Sequence, residues 1–208
     1  MQGWKFLVLD TKHHLMVRNM SNSEVAHEAA KPFVNYIVKP VAFTKSTSNL
    51  FKQDYNDEKI YKFNPVSYQV NEVLFEPPDE FLYYRNIFNK KVHYISRIQA
   101  QMTSRIFEVN TSTFPEIDLI LFKELDLEKL IPGYTSEIIL NYAVARGEEL
   151  SIVLQELNFY KREYENKQVR LLGLFRKYSS SINSTFDLSL MEKYFQEFLE
   201  AIQLDRIQ

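Results

Sequence analysis

The 208-residue chain has no cysteine and very little glycine. Without cysteine, disulfide frameworks, thiolate metal sites and cysteine nucleophiles are all excluded. The four glycines lie far apart, at positions 3, 133, 147 and 173. A phosphate-binding loop needs clustered glycines so that backbone N–H groups can approach the phosphate. We therefore expect no nucleotide-binding loop and no cofactor.

The chain also lacks an excess of charge and a long apolar run. Its 25 basic and 27 acidic side chains give a net charge of −2, so no overall field attracts it to nucleic acid or to an anionic membrane. No apolar run reaches the roughly 18 residues of a membrane helix. The first residues, MQGWKFLVLDTKHH, do not have the pattern of a signal peptide. We expect no membrane association, and 45% hydrophobic residues are enough for a folded core.

Residues 1–125 are predicted to form a mainly β body. Residues 3–18 alternate as a hairpin does, with its turn at Asp10-Thr11-Lys12. A capping-box spacing that starts at Ser21 predicts one short helix over about 22–38. Residues 44–59 are polar and aperiodic, which indicates a flexible loop.

The rest of this body is predicted to add further strands, because β-branched and aromatic residues are frequent there. A turn or short helix is predicted over 79–88, led by its acidic pair. The strand predictions cover residues 66–76, 92–100, 103–110 and 116–124. An antiparallel meander is the simplest arrangement of these strands.

Residues 126–208 are predicted to form a C-terminal helical hairpin, with helices over about 132–178 and 187–204. Pro132 suits the first turn of the longer helix, where its missing N–H costs nothing. The predicted fold class is therefore α+β: an antiparallel β meander body with a long C-terminal helix and an antiparallel helical hairpin.

The longer helix carries a heptad seam between residues 150 and 178, with Lys167 as its one polar position. At 1.5 Å per residue this seam is about 43 Å long, whereas the helix over 187–204 covers only about 27 Å. Part of the seam is therefore left for a neighbouring subunit to cover. The residues of this predicted subunit interface are Leu150, Val153, Leu157, Tyr160, Tyr164, Leu171, Leu174 and Tyr178.

A group of acidic residues near the middle of the chain is a candidate catalytic site. The acidic residues Glu116, Asp118, Glu124, Asp126 and Glu128 have the residue type of a metal-dependent nuclease. Lys123 lacks the Glu-x-Lys spacing of the restriction-like pattern, since Leu121 stands two positions before it. Glu124, Asp126 and Glu128 are better interpreted as a capping and solubilising cluster before the helix that begins at Pro132. We expect no catalytic residue.

Histidines and basic-aromatic stretches give no stronger signal. His13 and His14 are adjacent and would point to opposite faces of a regular strand, so we expect no metal site there. The stretches Tyr83-Tyr84-Arg85 and 160–170 interleave aromatic and basic residues, as single-strand binders do. Tyr160 and Tyr164 fit the helical seam better, which makes nucleic-acid binding the weaker interpretation.

Three short pieces resemble one family when they are taken in order. They are Gly3-Trp4-Lys5-Phe6, the stretch EPPDEFL at 76–82, and LDLEKLIP at 125–132 leading into YTSEIILNYAVARGEEL. Their order resembles phage tail tubular protein A and related head-to-tail connector rings. The resemblance implies a non-enzymatic virion protein that is assembled in the host cytoplasm. It also implies a homo-oligomeric ring that contacts portal and tail components, with nucleic acid present only as DNA passing through the lumen.

Two other functions stay open from the sequence. A small adaptor could bind a host or viral protein through the hairpin at 150–204, and it would be a stable monomer on its own. A nuclease would use Asp118, Glu124 and Asp126 with Mg²⁺. The connector subunit is the leading hypothesis, because it accounts for the surplus helical seam and for the absence of a catalytic motif.

Overall fold

The computed structural model describes residues 3–52, 59–109, 116–131 and 133–207. The fold class is α+β, as predicted, with a five-stranded antiparallel sheet and long helices. The chain forms two compact units. The first consists of Met1–Ile98 with Tyr178–Glu200, and the second of Gln99–Lys177 with Ala201–Gln208.

The sheet of the first unit has the strand order β3-β1-β2-β4-β5. Its strands are β1 (Trp4–Asp10), β2 (Leu15–Met20), β3 (Tyr36–Ala42), β4 (Tyr61–Asn64) and β5 (Gln69–Glu72). The predicted N-terminal hairpin is confirmed as β1 and β2. Leu7 and Val8 are both fully buried, and neighbouring strand residues point to opposite faces. Both faces of β1 are therefore covered.

Two short helices accompany the sheet. Helix α1 (Ser23–Ala30) begins after Asn22, whose side chain accepts a hydrogen bond from the Val25 N–H at 3.1 Å. It is shorter than predicted, since Pro32 follows closely and β3 begins at Tyr36. Helix α2 (Ser48–Lys52) lies inside the predicted loop 44–59, of which residues 53–58 are outside the described ranges.

The largest error of prediction concerns the strands predicted over 92–100, 103–110 and 116–124, where the described residues are helical. Helix α3 (Asp79–Glu108) begins where a turn or short helix was predicted and continues through two predicted strands. Helix α4 (Glu116–Leu130) replaces the strand at 116–124. The buried residues of α3 recur at steps of four and three, which is a helical period. They include Phe81, Arg85, Phe88, Val92 and Ile95. This spacing outweighs the β propensity of the individual residues.

The C-terminal part is helical, as predicted, but the long helix is divided. Helix α5 (Glu137–Arg146) ends at Gly147, whose φ of 68° is left-handed and closes the helix. Helix α6 (Leu150–Ser184) and helix α7 (Leu188–Ile207) follow. Pro132 lies outside the described residues. The rings of Tyr178 and Phe198 are 5.8 Å apart, so the chain reverses its direction between α6 and α7.

Candidate functional site

The predicted interface residues on α6 are mostly covered by the chain itself. Val153, Leu157, Leu171 and Tyr178 are buried, and Leu150, Tyr164 and Leu174 are half-buried. Tyr160 is the exception, with 44% of its surface exposed. A subunit contact at this seam remains a prediction, and on this helix it would have to use the residues that flank the buried ones.

In the second unit, α6 packs antiparallel to α4. The aromatic rings of Phe122 and Tyr164 lie 5.9 Å apart, and Lys129 donates a hydrogen bond to the Asn158 side chain at 2.7 Å. A residue later in α4 thus contacts a residue earlier in α6, which shows that the two helices run in opposite directions. Because the seam faces α4 over this stretch, the chain covers it without a second subunit.

Lys161 lies between these two helices and is 9% exposed. Its ammonium pairs with the carboxylate of Asp126 and lies 3.4 Å from the Phe122 carbonyl oxygen. The heptad pattern predicts Tyr160 at this position of the seam, but the structure buries Lys161, the next residue, and leaves Tyr160 exposed.

The acidic residues at the end of α4 hold the start of α5. Glu128 accepts a hydrogen bond from the Ser136 N–H at 2.8 Å, and Glu124 accepts one from the Ser136 hydroxyl at 2.9 Å. Ser136 is the N-cap of α5 and accepts from the Ile139 N–H at 3.3 Å. Glu124 also accepts from the Tyr134 hydroxyl at 3.0 Å. These carboxylates therefore have the capping role that was predicted for this cluster.

The carboxylates of the nuclease alternative have separate partners. Glu124 is bound to Ser136, whereas Asp126 is bound to Lys161 on the other helix. The side chain of Asp118 is outside the described part of the structure. Within the described residues, no three His, Asp or Glu side chains are grouped as a metal site would require.

A cleft between α4 and α6 presents the exposed side chain of Phe159 beside charged residues; we call it the α4–α6 cleft. Its volume is about 550 Å³, and Asp126, Lys129, Asn158, Phe159, Arg162 and Glu165 line it. Phe159 is 61% exposed. An exposed aromatic side chain within a polar rim is typical of protein contact surfaces.

The first unit contains a different feature in the turn between β1 and β2. Asp10 is 4% exposed, and its Oδ1 accepts from the backbone N–H groups of Lys12 at 2.8 Å and His13 at 3.3 Å. Its Oδ2 lies 2.7 Å from Nδ1 of His13. The buried carboxylate therefore fixes both the turn and the orientation of the imidazole.

This turn forms one side of a cleft of about 210 Å³, which we call the β1–β2 turn cleft. Glu80 lies at its edge, with Oε2 3.9 Å from His13 Nε2 and 2.5 Å from Lys12 Nζ. Its aromatic lining consists of Phe33, Tyr36, Tyr84 and Phe186. The sequence prediction for His13 concerned only metal binding. The signal for its pairing with Asp10 is the Asp-x-x-His spacing in a tight turn.

Tyr36 has a buried hydroxyl with no hydrogen-bond partner among the described residues. Burial is the main cause that raises the pKa of Tyr36, and the charge of Asp10 adds to it. Its ring stacks on Phe33 with centroids 4.5 Å apart. A buried polar atom without a partner is rare in folded proteins, so this hydroxyl points to a ligand or to bound water.

Lys91 is fully buried behind two of these aromatic residues. Its ammonium donates to the backbone carbonyl of Asn183 at 2.5 Å and lies 4.4 Å from the ring centre of Phe186. Burial lowers the pKa of Lys91 to about 8. Since Asn183 lies in the last turn of α6, the ammonium stabilises the negative end of that helix.

Comparisons of the chain with protein-family models, with curated proteins and with solved structures give no match. In the described part of the chain, no helix combines the length and the apolar character of a membrane-spanning segment.

Proposed function

We propose that this chain is a structural subunit that assembles with copies of itself through the α4–α6 cleft. The observation that carries this proposal is the exposure of Phe159 in the cleft, where 61% of its surface is exposed. Burying this side chain against another chain removes apolar area from water, which is worth about 25 cal/mol per Å².

The charges around Phe159 favour a second copy as the partner. Lys129 and Arg162 line the cleft together with Asp126 and Glu165, so both signs of charge lie beside the same apolar residue. A surface that carries both signs can meet a mixed-charge face of a neighbouring copy without net like-charge repulsion. The net charge of −2 adds little repulsion between copies.

The helices give this surface a rigid support. Helix α6 has 35 residues, which is about 52 Å at 1.5 Å per residue. Its packing on α4 is held by Lys161 and by the Lys129–Asn158 hydrogen bond. Rigid helical surfaces of this kind suit a ring, in which one face of each subunit meets a different face of the next.

Among assembling proteins, the head-to-tail connector of a phage virion is the one that the chain resembles in sequence. In this proposal the ring joins portal and tail components, and DNA passes through its lumen. The subunit is proposed to be non-enzymatic, and the capping role of Glu124 and Glu128 supports this, because it gives these carboxylates a structural task.

Light scattering after size-exclusion chromatography tests the proposal over a series of protein concentrations. The mass is expected to rise from 24.8 kDa towards one closed oligomer. Phe159→Glu is expected to keep the protein monomeric, because a charge then lies in the contact. Leu74→Glu is the matched control, since Leu74 is 95% exposed and belongs to the first unit, whereas the residues that line the cleft belong to the second. Equal masses for both variants at all concentrations would contradict the proposal.

A further inference from the structure

The β1–β2 turn cleft brings several hydrogen-bond acceptors to one place. Glu80 Oε2 and His13 Nε2 are 3.9 Å apart, which is close enough for both to accept from one forked donor group. The Tyr36 hydroxyl oxygen is a third acceptor, and no described residue donates to it. A ligand that satisfies this set must offer several N–H donors.

Asp10 determines the role of His13 in this set. Because the Asp10 carboxylate can only accept, the proton of the neutral imidazole is held on Nδ1, which faces Asp10 Oδ2 at 2.7 Å. The lone pair on Nε2 is then directed away from Asp10, on the side of Glu80. His13 therefore acts as an acceptor towards a ligand in the cleft.

The aromatic lining favours a ligand that is flat and positively charged. Guanidinium and amidinium groups are planar, carry forked N–H donors and stack on aromatic faces. Lys91 already lies over the rings of Phe33 and Phe186, at 5.4 and 4.4 Å, and its charge disfavours a second cation there. The ligand cation is therefore placed against Glu80, Tyr36 and Tyr84.

We propose that the β1–β2 turn cleft binds a small organic cation of the guanidinium or amidinium class, with Glu80 as its counter-ion. The volume of about 210 Å³ suits a single ring or one side-chain-sized group. This proposal is independent of self-assembly, since every residue that it uses belongs to the first unit.

The ammonium of Lys12 pairs with the same carboxylate, Glu80, that is proposed to bind the ligand cation. Its ammonium is 2.5 Å from Glu80 Oε2, and both side chains are nearly half exposed. An exposed pair of this kind is weak, so a ligand with more donors can displace it. Lys12 thus occupies the place of the ligand cation, and removing its charge is expected to improve binding.

Calorimetric titration with benzamidine, with neutral benzamide of the same shape as the control ligand, tests this site. Benzamidine is expected to bind at least tenfold more tightly than benzamide. Glu80→Gln is expected to remove this difference, whereas Lys12→Gln is expected to tighten benzamidine binding several-fold. Glu72→Gln is the matched control, because Glu72 forms the same kind of exposed pair with Lys59 at 2.9 Å.

Tyr36→Phe tests the site if Glu80→Gln does not fold, as judged by circular dichroism. This variant removes only the hydroxyl acceptor and is expected to weaken benzamidine binding several-fold. Separate titrations with agmatine and with a capped Gly-Arg-Gly peptide distinguish a free compound from an arginine side chain as the source of the cation. Equal binding of benzamidine and benzamide, or an unchanged affinity in both Glu80→Gln and Tyr36→Phe, would overturn the proposal.

Discussion

Lys91 donates a hydrogen bond to the backbone carbonyl of Asn183 across 2.5 Å, and no part of the lysine is exposed. The two residues are 92 positions apart in the chain. Asn183 also donates from its side-chain amide to the Glu28 carbonyl at 2.9 Å. This one residue therefore connects the end of α6 to both α3 and α1 within the first unit.

The buried ammonium of Lys91 makes the stability depend on pH. The pKa of Lys91 is lowered from 10.5 to about 8 in the folded state, so the unfolded chain binds more protons between these values. The free energy of unfolding therefore rises with pH in this window. The contribution of Lys91 to it is lowest below about pH 8.

Lys91→Met isolates this effect, because methionine has a similar length and no charge. Between about pH 7 and pH 10, the wild-type protein is expected to gain about 2 to 3 kcal/mol relative to the variant. Urea unfolding of both proteins at a series of pH values measures the difference. A difference that does not change with pH would show that Lys91 has an ordinary pKa in the folded state.

Ser136 is expected to be important for the start of α5. Ser136→Ala removes the N-cap acceptor and the donor to Glu124, and it is expected to lower the free energy of unfolding by about 1 to 2 kcal/mol. Ser151→Ala is the control, since Ser151 is exposed and its loss is expected to cost less than about 0.5 kcal/mol. Equal effects in chemical denaturation would contradict the N-cap role of Ser136 and its hydrogen bond to Glu124.

Asp10→Asn is expected to change the tautomer of His13. The backbone N–H groups of Lys12 and His13 hold the oxygen of residue 10, so the new amide nitrogen would face Nδ1 and donate to it. The ring proton then moves from Nδ1 to Nε2. Nitrogen NMR of the histidine rings measures this, with His93 as an internal control. Retention of the Nδ1–H tautomer would contradict the proposed role of Asp10.

Lys161 is expected to stabilise the fold more through the packing of its buried aliphatic chain than through its charge. Lys161→Met keeps most of the buried length and is expected to stay within about 1 kcal/mol of the wild-type stability, since the Asp126 side chain is 53% exposed and an ion pair with an exposed partner is weak. Lys161→Ala is expected to cost about 2 to 3 kcal/mol. A large loss in the methionine variant would instead assign the stability to the Asp126 pair.

Local patterns predicted the N-terminal hairpin and the helices near the C-terminus. The alternation in residues 3–18 has one clear period, and α7 begins within one residue of the predicted position. Residues 92–100 contain Val92, Tyr94 and Ile95, which favour strands individually. Their burial together with Phe81 and Phe88 depends on contacts with the rest of the unit, so only the wider helical spacing could have shown it.

The two clefts were harder to predict than the elements that form them. The heptad pattern identified α6 as a packing helix, but it could not show that α4 of the same chain covers it. The β1–β2 turn cleft combines His13, Tyr36, Glu80 and Phe186, which are distant in the sequence. Only the Asp10–His13 spacing was visible locally, and its meaning depends on the burial of Asp10.

The most direct test of the proposed assembly is photo-crosslinking from the α4–α6 cleft. Benzoylphenylalanine in place of Phe159 reacts with whatever lies against that side chain, and the same residue in place of Leu74 serves as the control. The proposal predicts covalent species of twice 24.8 kDa from position 159 and none from position 74, with crosslinked peptides from this same chain. A product that remains at 24.8 kDa from position 159 would contradict self-assembly through this cleft.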